Sequence, residues 1–505
     1  MLASSWTSPL FPYAYGYDAS WYVIAGRLIL DGRVPYVDFF DLKGPAFFFY
    51  EALGQLLIRG RGGVYLLQCI SVSLTALFLH KTARLFVGRK ASGLAFVLFY
   101  FVYVSPLWGG NTVEELFMPF NAAAVYFALR AVTQKERDVR APAFVFGVGA
   151  AAFMLSKATV AMTLFAALIL VLVVFIRERR YRDILLSIGF FLFGMAALWL
   201  PVLFYFAFRH ALKEFFYAVF VFAFKRSTDY YEAFSFDWEK QLFICPVSLL
   251  CAVILRPKYI FTGEEKEEER LKALRMLLFI FAPVSYALLH LGTPYTYYFI
   301  SLMPLFFLTL VYIFSFYEEL LKHRTFSSAR HLRAVLISTA LVTVVLCFYF
   351  VPTRDKLREN IGIIRDKVDI EEVEGYHESL SLVPEWERPD IFNLETGMIF
   401  YDVTDTLPAN RYPVNCPYFM HLDGRIAAYI LDVLTNEKPK WIMSEEIGDF
   451  DYDEVRDIVL ENYEMINYNG YEELWRRIDD FRSREEAENA GYEEIDEYEE
   501  VYEDE

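Results

Sequence analysis

Long apolar stretches separated by short polar loops dominate the first 351 residues of the chain. A membrane-spanning helix needs about 20 apolar residues, each of which advances the helix by about 1.5 Å. Ten stretches approach this length, centred on 64–86, 91–107, 116–133, 142–156, 158–176, 184–206, 241–256, 274–291, 297–316 and 334–351. The pattern therefore predicts an all-α polytopic membrane protein with about ten spans.

Lysine and arginine gather in alternate loops between these stretches. The basic loops contain Lys81–Lys90, Arg130–Arg140, Arg177–Arg182, Arg256–Arg275 and Lys322–Arg333. Positively charged loops are retained in the cytoplasm, so these loops mark the cytoplasmic face. The outer face then holds residues 1–62, the loop around Glu114, residues 207–240, the turn from His290 to Thr296 and everything after residue 352.

The outer position of the N-terminal segment raises a question of topology. No signal peptide or apolar span precedes residues 1–62 in this sequence. An outer segment needs a route across the membrane, so we expect a further N-terminal span upstream of it.

Two segments of residues 1–62 show helical periodicity. Within 19–31, apolar residues recur at helical spacing until Gly32 ends the pattern. A second apolar segment begins at Pro45, a residue suited to the first turn of a helix. The pattern predicts two short amphipathic helices that lie at the membrane interface.

Charged residues lie before and between these two helices. Asp18 directly precedes the first, and Asp38, Asp41 and Lys43 lie in the turn that leads to Pro45. In a purely structural interpretation, Asp18 is an N-cap and Lys43 is a cation that reaches toward lipid headgroups. Sugar transfer from a polyprenyl phosphate requires a carboxylate for the acceptor proton and a cation for the departing phosphate. The same residues supply both groups, and both interpretations stay open at this point.

The segment also resembles a known family in its motifs. The runs concerned are Ser8-Pro-Leu-Phe-Pro12, Tyr17-Asp18 and Gly32-Arg-Val-Pro-Tyr-Val-Asp-Phe-Phe-Asp-Leu-Lys-Gly-Pro45. They resemble the first extracytoplasmic loop of GT-C glycosyltransferases, in particular bacterial members of glycosyltransferase family 39, relatives of protein mannosyltransferases and aminoarabinose transferases. The resemblance implies a membrane enzyme that moves a sugar from a polyprenyl-phosphate donor to a lipid, glycan or protein acceptor at the outer face.

The resemblance also implies roles for individual residues. Asp18 matches the first-loop aspartate, taken as the catalytic base, and Lys43 matches the lysine that contacts the donor phosphate. The aminoarabinose transferases carry Glu-Lys-Pro-Pro where this chain has Leu42-Lys43-Gly44-Pro45. The missing acid argues against a metal site there unless Asp41 or Asp38 replaces it. A divalent cation is left open as a cofactor, and no dedicated histidine-based metal site is expected.

A second acidic element lies between the second and third apolar stretches, in the run Asn111-Thr-Val-Glu114-Glu115. Family members carry an acid in the corresponding loop, so Glu114 or Glu115 becomes a candidate for acceptor or metal contact, with Glu114 preferred. The alternative is that both acids are solvated and cap the next helix. Further along, Tyr297 and Tyr298 are expected to belong to an aromatic belt at the membrane interface.

The composition changes after the last apolar stretch. Residues 352–482 are of mixed polarity, with strands predicted at Asp390–Val403 and Pro439–Ser444 and helices at Gly424–Thr435 and Tyr452–Asn462. This alternation predicts a small extracytoplasmic α/β domain.

Much of the net charge of −17 comes from Glu485–Glu505, which holds twelve acidic residues and no Lys or Arg. We therefore predict a disordered acidic tail over 483–505, and nothing indicates nucleic-acid binding.

The sequence thus predicts four parts, which are a 1–62 loop, a 63–351 transmembrane core, a 352–482 α/β domain and a 483–505 tail. With 56% hydrophobic residues, membrane embedding also explains the composition. A competing interpretation is a transporter or lipid flippase for cell-envelope precursors, which would place ionisable residues within its spans. The predicted spans are nearly free of charge, so the pattern favours chemistry at the membrane surface.

Overall fold

The computed structural model describes residues 1–478 except for 108, 135–137, 230–241, 258–264, 290–294, 324–328, 367–369, 395–396 and 415. The predicted acidic tail and His290 lie outside the described residues. The chain divides into two compact units, Met1–Asp369 and Ile370–Glu505.

The first unit is helical. Its α-helices are α1 (Tyr17–Leu30), α2 (Pro45–Leu57), α3 (Arg61–Ala83), α4 (Arg89–Val104), α5 (Val113–Leu116), α6 (Met118–Thr133), α7 (Arg140–Met154), α8 (Met162–Arg177), α9 (Tyr181–Phe208), α10 (Leu212–Phe216), α11 (Ala223–Asp229), α12 (Ile244–Ile254), α13 (Glu265–Leu289), α14 (Met303–His323) and α15 (Ala329–Asp366). Short 3₁₀ or π segments occupy Ser105–Leu107, Ala158–Ala161, Tyr217–Phe222 and Thr296–Leu302.

Seven helical segments of the described chain are long and apolar enough to cross a membrane. They are Arg61–Ala83, Arg89–Leu107, Val113–Thr133, Tyr181–Phe208, Glu267–Leu289, Thr296–Leu321 and Leu332–Asp366. The three other predicted stretches coincide with shorter apolar helices, α7, α8 and α12. The structure therefore confirms a multi-pass helical architecture, and seven of the ten predicted stretches have the dimensions of a span.

The two predicted N-terminal helices are present as α1 and α2, and they pack closely. A Cβ atom added at Gly26 of α1 would lie 2.8 Å from the carbonyl carbon of Glu51 in α2, so the backbones nearly touch. Trp21 is fully buried, with its ring edge-on to Phe39 at 5.8 Å between centroids. The helices α1 and α2 and the turn between them therefore pack around Trp21.

The last helix of the first unit is its longest. At 38 residues, α15 is about 57 Å long, whereas the apolar core of a bilayer is about 30 Å thick. The predicted boundary at residue 352 falls inside this helix. Beyond that point Asn360 is buried, donates to the carbonyl of Ala3 at 3.0 Å and accepts from Trp6 Nε1 at 3.2 Å. The second half of α15 thus packs against the N-terminal segment.

The second unit combines helices with a small sheet. Its helices are α16 (Ile370–Ser381), α17 (Ile399–Thr404), α18 (Cys416–Leu422), α19 (Gly424–Asp432) and α20 (Asp453–Asn462), and its strands are β1 (Ile391–Asn393), β2 (Trp441–Ser444), β3 (Tyr463–Tyr468) and β4 (Glu473–Arg477). The sheet order is β1-β2-β4-β3, with β1 parallel to β2 and the other pairs antiparallel. All residues of β1 and β2 are buried.

The strand predictions in this unit are partly wrong. Residues Asp390–Val403 form a strand only at β1, after which the chain turns into α17. The β3–β4 hairpin was not predicted, although Asn469-Gly470 between two alternating segments is a hairpin signal. Gly470 has a φ of 86°, which suits glycine in a tight turn. The predicted strand at β2 and the predicted helices at α19 and α20 are confirmed.

Candidate functional site

The turn between α1 and α2 is organised by the buried carboxylate of Asp41. Its oxygens accept hydrogen bonds from Trp21 Nε1 at 2.6 Å and from the backbone N–H of Leu42 at 2.6 Å. The Lys43 ammonium lies 3.5 Å from the same carboxylate. Because Asp41 is only 2% exposed, its charge is compensated by these donors and not by water.

Lys43 is a partly buried cation held among carboxylates and an aromatic ring. Its ammonium lies 4.9 Å from the centre of the Tyr22 ring, a cation–π distance. Burial opposes the charge, but Asp41 and then Asp18 outweigh it, so the pKa of Lys43 is raised above its usual value. Lys43 is therefore a permanent cation at physiological pH.

The backbone after Lys43 is pressed against the link between α7 and α8. The N–H of Gly44 donates to the carbonyl of Ser156 at 2.9 Å, and Ala46 N–H donates to Leu155 at 2.9 Å. A Cβ at position 44 would collide with the Leu155 carbonyl. Only glycine permits this approach, which places Lys43 beside the segment that carries Lys157.

Asp38 has a different environment. Its side chain is exposed and accepts a hydrogen bond from Val34 N–H at 2.6 Å, which closes the local turn. No described contact joins Asp38 to Lys43 or Asp18. Of the two acids proposed to replace the missing family glutamate, the structure places Asp41 beside Lys43 and leaves Asp38 at the surface.

Asp18 lies in the first turn of α1 and is half-buried. The N-cap of that helix is Gly16, so the alternative interpretation of Asp18 as an N-cap does not hold. Its carboxylate accepts a hydrogen bond from Tyr297 Oη at 3.4 Å. This position puts the Asp18 carboxylate beside the N-terminal end of α1.

Glu114 forms a buried ion pair with Lys157. The two charged groups are 2.7 Å apart, and Glu114 is 2% exposed. The Lys157 ammonium also lies 3.2 Å from the centre of the Tyr298 ring and 5.3 Å from that of Tyr297. Both tyrosines therefore contact charged groups of a buried cluster, a role different from the expected aromatic belt.

Glu115 belongs to a separate network. It is fully buried, and its Oε2 accepts hydrogen bonds from Gln68 Nε2 at 2.8 Å and from Asn111 N–H at 2.9 Å. Thr112, not an acid, caps α5 by accepting from the Glu115 N–H. Of the two neighbouring acids, only Glu114 contacts Lys157 among the described residues.

Tyr22 connects these groups into one site. Burial raises the pKa of Tyr22 well above its usual value, and the nearby Asp18, Asp41 and Glu114 raise it further. We call the following residues the Tyr22 cluster: Asp18, Tyr22, Asp41, Lys43, Glu114, Lys157, Tyr297 and Tyr298. It brings together the predicted Asp18, Lys43, Asp41 and Glu114, but not Asp38 or Glu115. Among the described residues, no group of three or more His, Cys, Asp and Glu side chains is arranged to hold a metal ion.

Sequence reasoning missed Lys157 as a site residue. Lys157 is the only charged residue between the two apolar stretches 142–156 and 158–176. The predicted sidedness places that link on the outer face, where lysine is rare. A solitary lysine at such a position was therefore an available signal.

Comparisons with known proteins bear on the whole chain. A family model described as dolichyl-phosphate-mannose-protein mannosyltransferase matches residues 43–224, which include Lys43, Glu114 and Lys157. No curated protein matches the sequence.

The fold is similar to two crystal structures of ArnT from Cupriavidus metallidurans. The structure bound to undecaprenyl phosphate matches with a TM-score of 0.58 and 11% identity, over 95% of this chain and 96% of that chain. The apo state matches with a TM-score of 0.56 and 11% identity, over 92% and 93%. The family model over residues 43–224 and this shared fold agree with the resemblance seen in the motifs, and the chain has the membrane-protein fold of ArnT.

Proposed function

We propose that the chain transfers a sugar from a polyprenyl-phosphate donor to an acceptor at the extracytoplasmic face of the membrane. The observation that carries this proposal is the convergence of Lys43, Asp18 and Glu114 around Tyr22. Undecaprenyl phosphate, the ligand of one ArnT structure, supports a polyprenyl-linked donor.

Lys43 is proposed to bind the phosphate that leaves with the polyprenyl chain. Its ammonium has three N–H donors, and the carboxylate of Asp41 occupies one direction at 3.5 Å. Arg226 is near enough to oppose the raised pKa of Lys43, which puts a second positive charge in the neighbourhood. A phosphate that departs in a buried site needs such fixed cations because water does not stabilise its growing charge there.

Asp18 is proposed to act as the general base. It would take the proton of the acceptor hydroxyl while that oxygen attacks the anomeric carbon of the sugar. The bond between the anomeric carbon and the phosphate oxygen breaks at the same time, the configuration inverts, and polyprenyl phosphate leaves. The hydrogen bond from Tyr297 Oη holds one carboxylate oxygen and helps to orient the other.

Glu114 and Lys157 are proposed to contact hydroxyl groups of the sugar or acceptor. The pair carries no net charge, and each partner retains hydrogen-bonding capacity beyond their mutual contact. This arrangement fits a neutral polyol better than a metal ion, because Lys157 already compensates the carboxylate. Glu115, which bonds to Gln68 and Asn111, is assigned a structural role.

A transfer assay tests these roles. The full-length chain in membrane vesicles is supplied with a radiolabelled polyprenyl-phosphate sugar, and transfer is compared between wild type and the variants Asp18→Asn and Lys43→Ala. We expect each variant to lose about 100-fold or more in rate. The exposed Asp38→Asn in the same loop is the matched control and should stay within about 2-fold. Full transfer by Asp18→Asn would contradict the assignment of Asp18 as the general base.

A further inference from the structure

An apolar cleft opens among α6, α7, α8 and α9. Its volume is about 250 Å³, and its lining includes Phe127, Pro142, Phe175, Ile184 and Phe191. Phe127 lies thirteen residues beyond Glu114, or about 20 Å along the helix direction. The cleft is therefore distinct from the Tyr22 cluster.

The cleft lies beside the close packing of α7 against α9. A Cβ atom at Gly147 would collide with the carbonyl of Phe191, and one at Gly194 with the carbonyl of Phe144. Glycine at both positions lets the two helices cross in close contact. The lining residues of both helices lie on the N-terminal side of this crossing, where α8 borders the gap.

The cleft has an apolar lining and borders a helix that is mostly exposed at the surface of the protein. Ser187 is its one lining residue with a polar side chain. Of the 28 residues of α9, only Gly194, Val202 and Phe206 are buried, so this helix presents most of its surface to the bilayer. A cleft beside such a helix is in contact with the hydrocarbon chains of the surrounding lipids.

Arginines surround the open end of the cleft. The Arg180 guanidinium lies 4.1 Å from the centre of the Phe175 ring, which lines the cleft, and pairs with Asp183 at 2.7 Å and Glu178 at 3.5 Å. The Arg140 guanidinium lies 6.0 Å from the centre of the Phe190 ring. The described residues of 130–140 and 177–183 include six arginines, Arg130, Arg140, Arg177, Arg179, Arg180 and Arg182, and three acids, Asp138, Glu178 and Asp183. This end of the cleft is positively charged.

We propose that this arginine-rimmed cleft binds one acyl chain of an anionic phospholipid, whose phosphate lies at Arg140 and Arg180. The excess of arginine favours an anionic headgroup over a zwitterionic one, and basic pockets between membrane helices are suited to such lipids. The same arginines mark the cytoplasmic side, so the lipid comes from the cytoplasmic leaflet. The site is separate from donor binding at Lys43.

Native mass spectrometry of the full-length chain in detergent tests the proposal, with dioleoyl phosphatidylglycerol and dioleoyl phosphatidylcholine as probes. Wild type should retain phosphatidylglycerol at least about tenfold better. Ala143→Phe and the milder Ser187→Leu fill the cleft and should reduce retention of both lipids. The double variant Arg140→Gln and Arg180→Gln should remove the preference but keep binding of the chain.

Matched controls lie on α4, away from the cleft. Leu94→Phe adds an aromatic ring at an exposed apolar position, and Arg89→Gln removes an exposed arginine near another basic loop. Both should bind phosphatidylglycerol like wild type. Equal retention of the two lipids by wild type, or unchanged retention in the cleft-filling variants, would overturn the proposal. Displacement of phosphatidylglycerol by polyprenyl phosphate would instead assign the cleft to the donor and equally overturn it.

Discussion

At the scale of single residues, the Tyr22 cluster is made of charges that compensate one another inside the protein. Lys43 is paired with Asp41, and Lys157 with Glu114. A buried ion left without its partner carries a large desolvation penalty, so each pair behaves as a unit. Asp18 differs, because its described partner is the neutral hydroxyl of Tyr297. Among the described residues Asp18 forms no salt bridge, so its carboxylate is the one of these three acids that is not paired with a cation.

The pairing of Lys43 predicts a pH effect. Asp41 is the largest influence that raises the pKa of Lys43 against burial. In Asp41→Asn the effect of burial is opposed less, so the pKa of Lys43 falls and the ammonium loses its proton at a lower pH. Because the proposed phosphate contact requires the protonated form, the alkaline limb of kcat/KM should move to lower pH. A profile from about pH 6 to about 10 measures this, with Asp38→Asn as the unshifted control.

The pairing of Lys157 predicts a loss of stability. Lys157→Gln leaves Glu114 buried without its cation and should cost roughly 3–5 kcal/mol in unfolding free energy. The double variant Glu114→Gln and Lys157→Gln removes both charges, so it should recover most of the stability but not sugar transfer. Denaturation in detergent and the transfer assay are measured together. Recovery of transfer by the double variant would show that the pair serves only the fold.

At the scale of elements, two glycines decide how segments far apart in sequence approach each other. Gly44 lets the turn after α1 lie against Leu155 and Ser156, and Gly26 lets α1 lie against α2. These close approaches bring Lys43 and Lys157 to one site. The elements themselves are ordinary helices, and their mutual position depends on the absence of a single Cβ atom.

The approach at Gly44 can be tested by adding that atom. Gly44→Ala places a methyl group on the Leu155 carbonyl and should separate the turn from the α7–α8 link, at a cost of roughly 1–3 kcal/mol. Thermal unfolding and transfer should both decline. Gly93→Ala is the matched control, because a Cβ there meets nothing within 4 Å. Equal behaviour of the two variants would contradict the proposed packing role.

At the scale of the whole molecule, the described spans place the Tyr22 cluster and the arginine-rimmed cleft at opposite ends of the helix α6. Glu114 precedes that helix, whereas Arg130 and Ala131 lie near its end. The positive-inside rule predicts that the cluster lies outside and the cleft inside. A polyprenyl-linked donor and a cytoplasmic-leaflet lipid would accordingly meet different surfaces of one protein.

Chemical labelling tests this orientation. In a cysteine-free background, Asp38→Cys and Lys90→Cys introduce single thiols at exposed positions. We expect a membrane-impermeant maleimide to label Asp38→Cys in intact cells and Lys90→Cys only after permeabilisation. The reverse pattern would move the Tyr22 cluster to the cytoplasmic face and remove the extracytoplasmic transfer reaction.

The amino-acid sequence by itself determined the helices of the membrane core, the two N-terminal helices and the motif residues Asp18 and Lys43. Apolar periodicity, Pro45 and loop charge are local properties, so they can be recognised without knowledge of the fold. Tertiary structure alone decided the site partners, since Tyr297 meets Asp18 across 279 positions and Lys157 meets Glu114 across 43. It also distinguished Asp41 from Asp38 and Glu114 from Glu115. Neighbouring acids share the same local pattern, and only packing determines which one is buried against a cation.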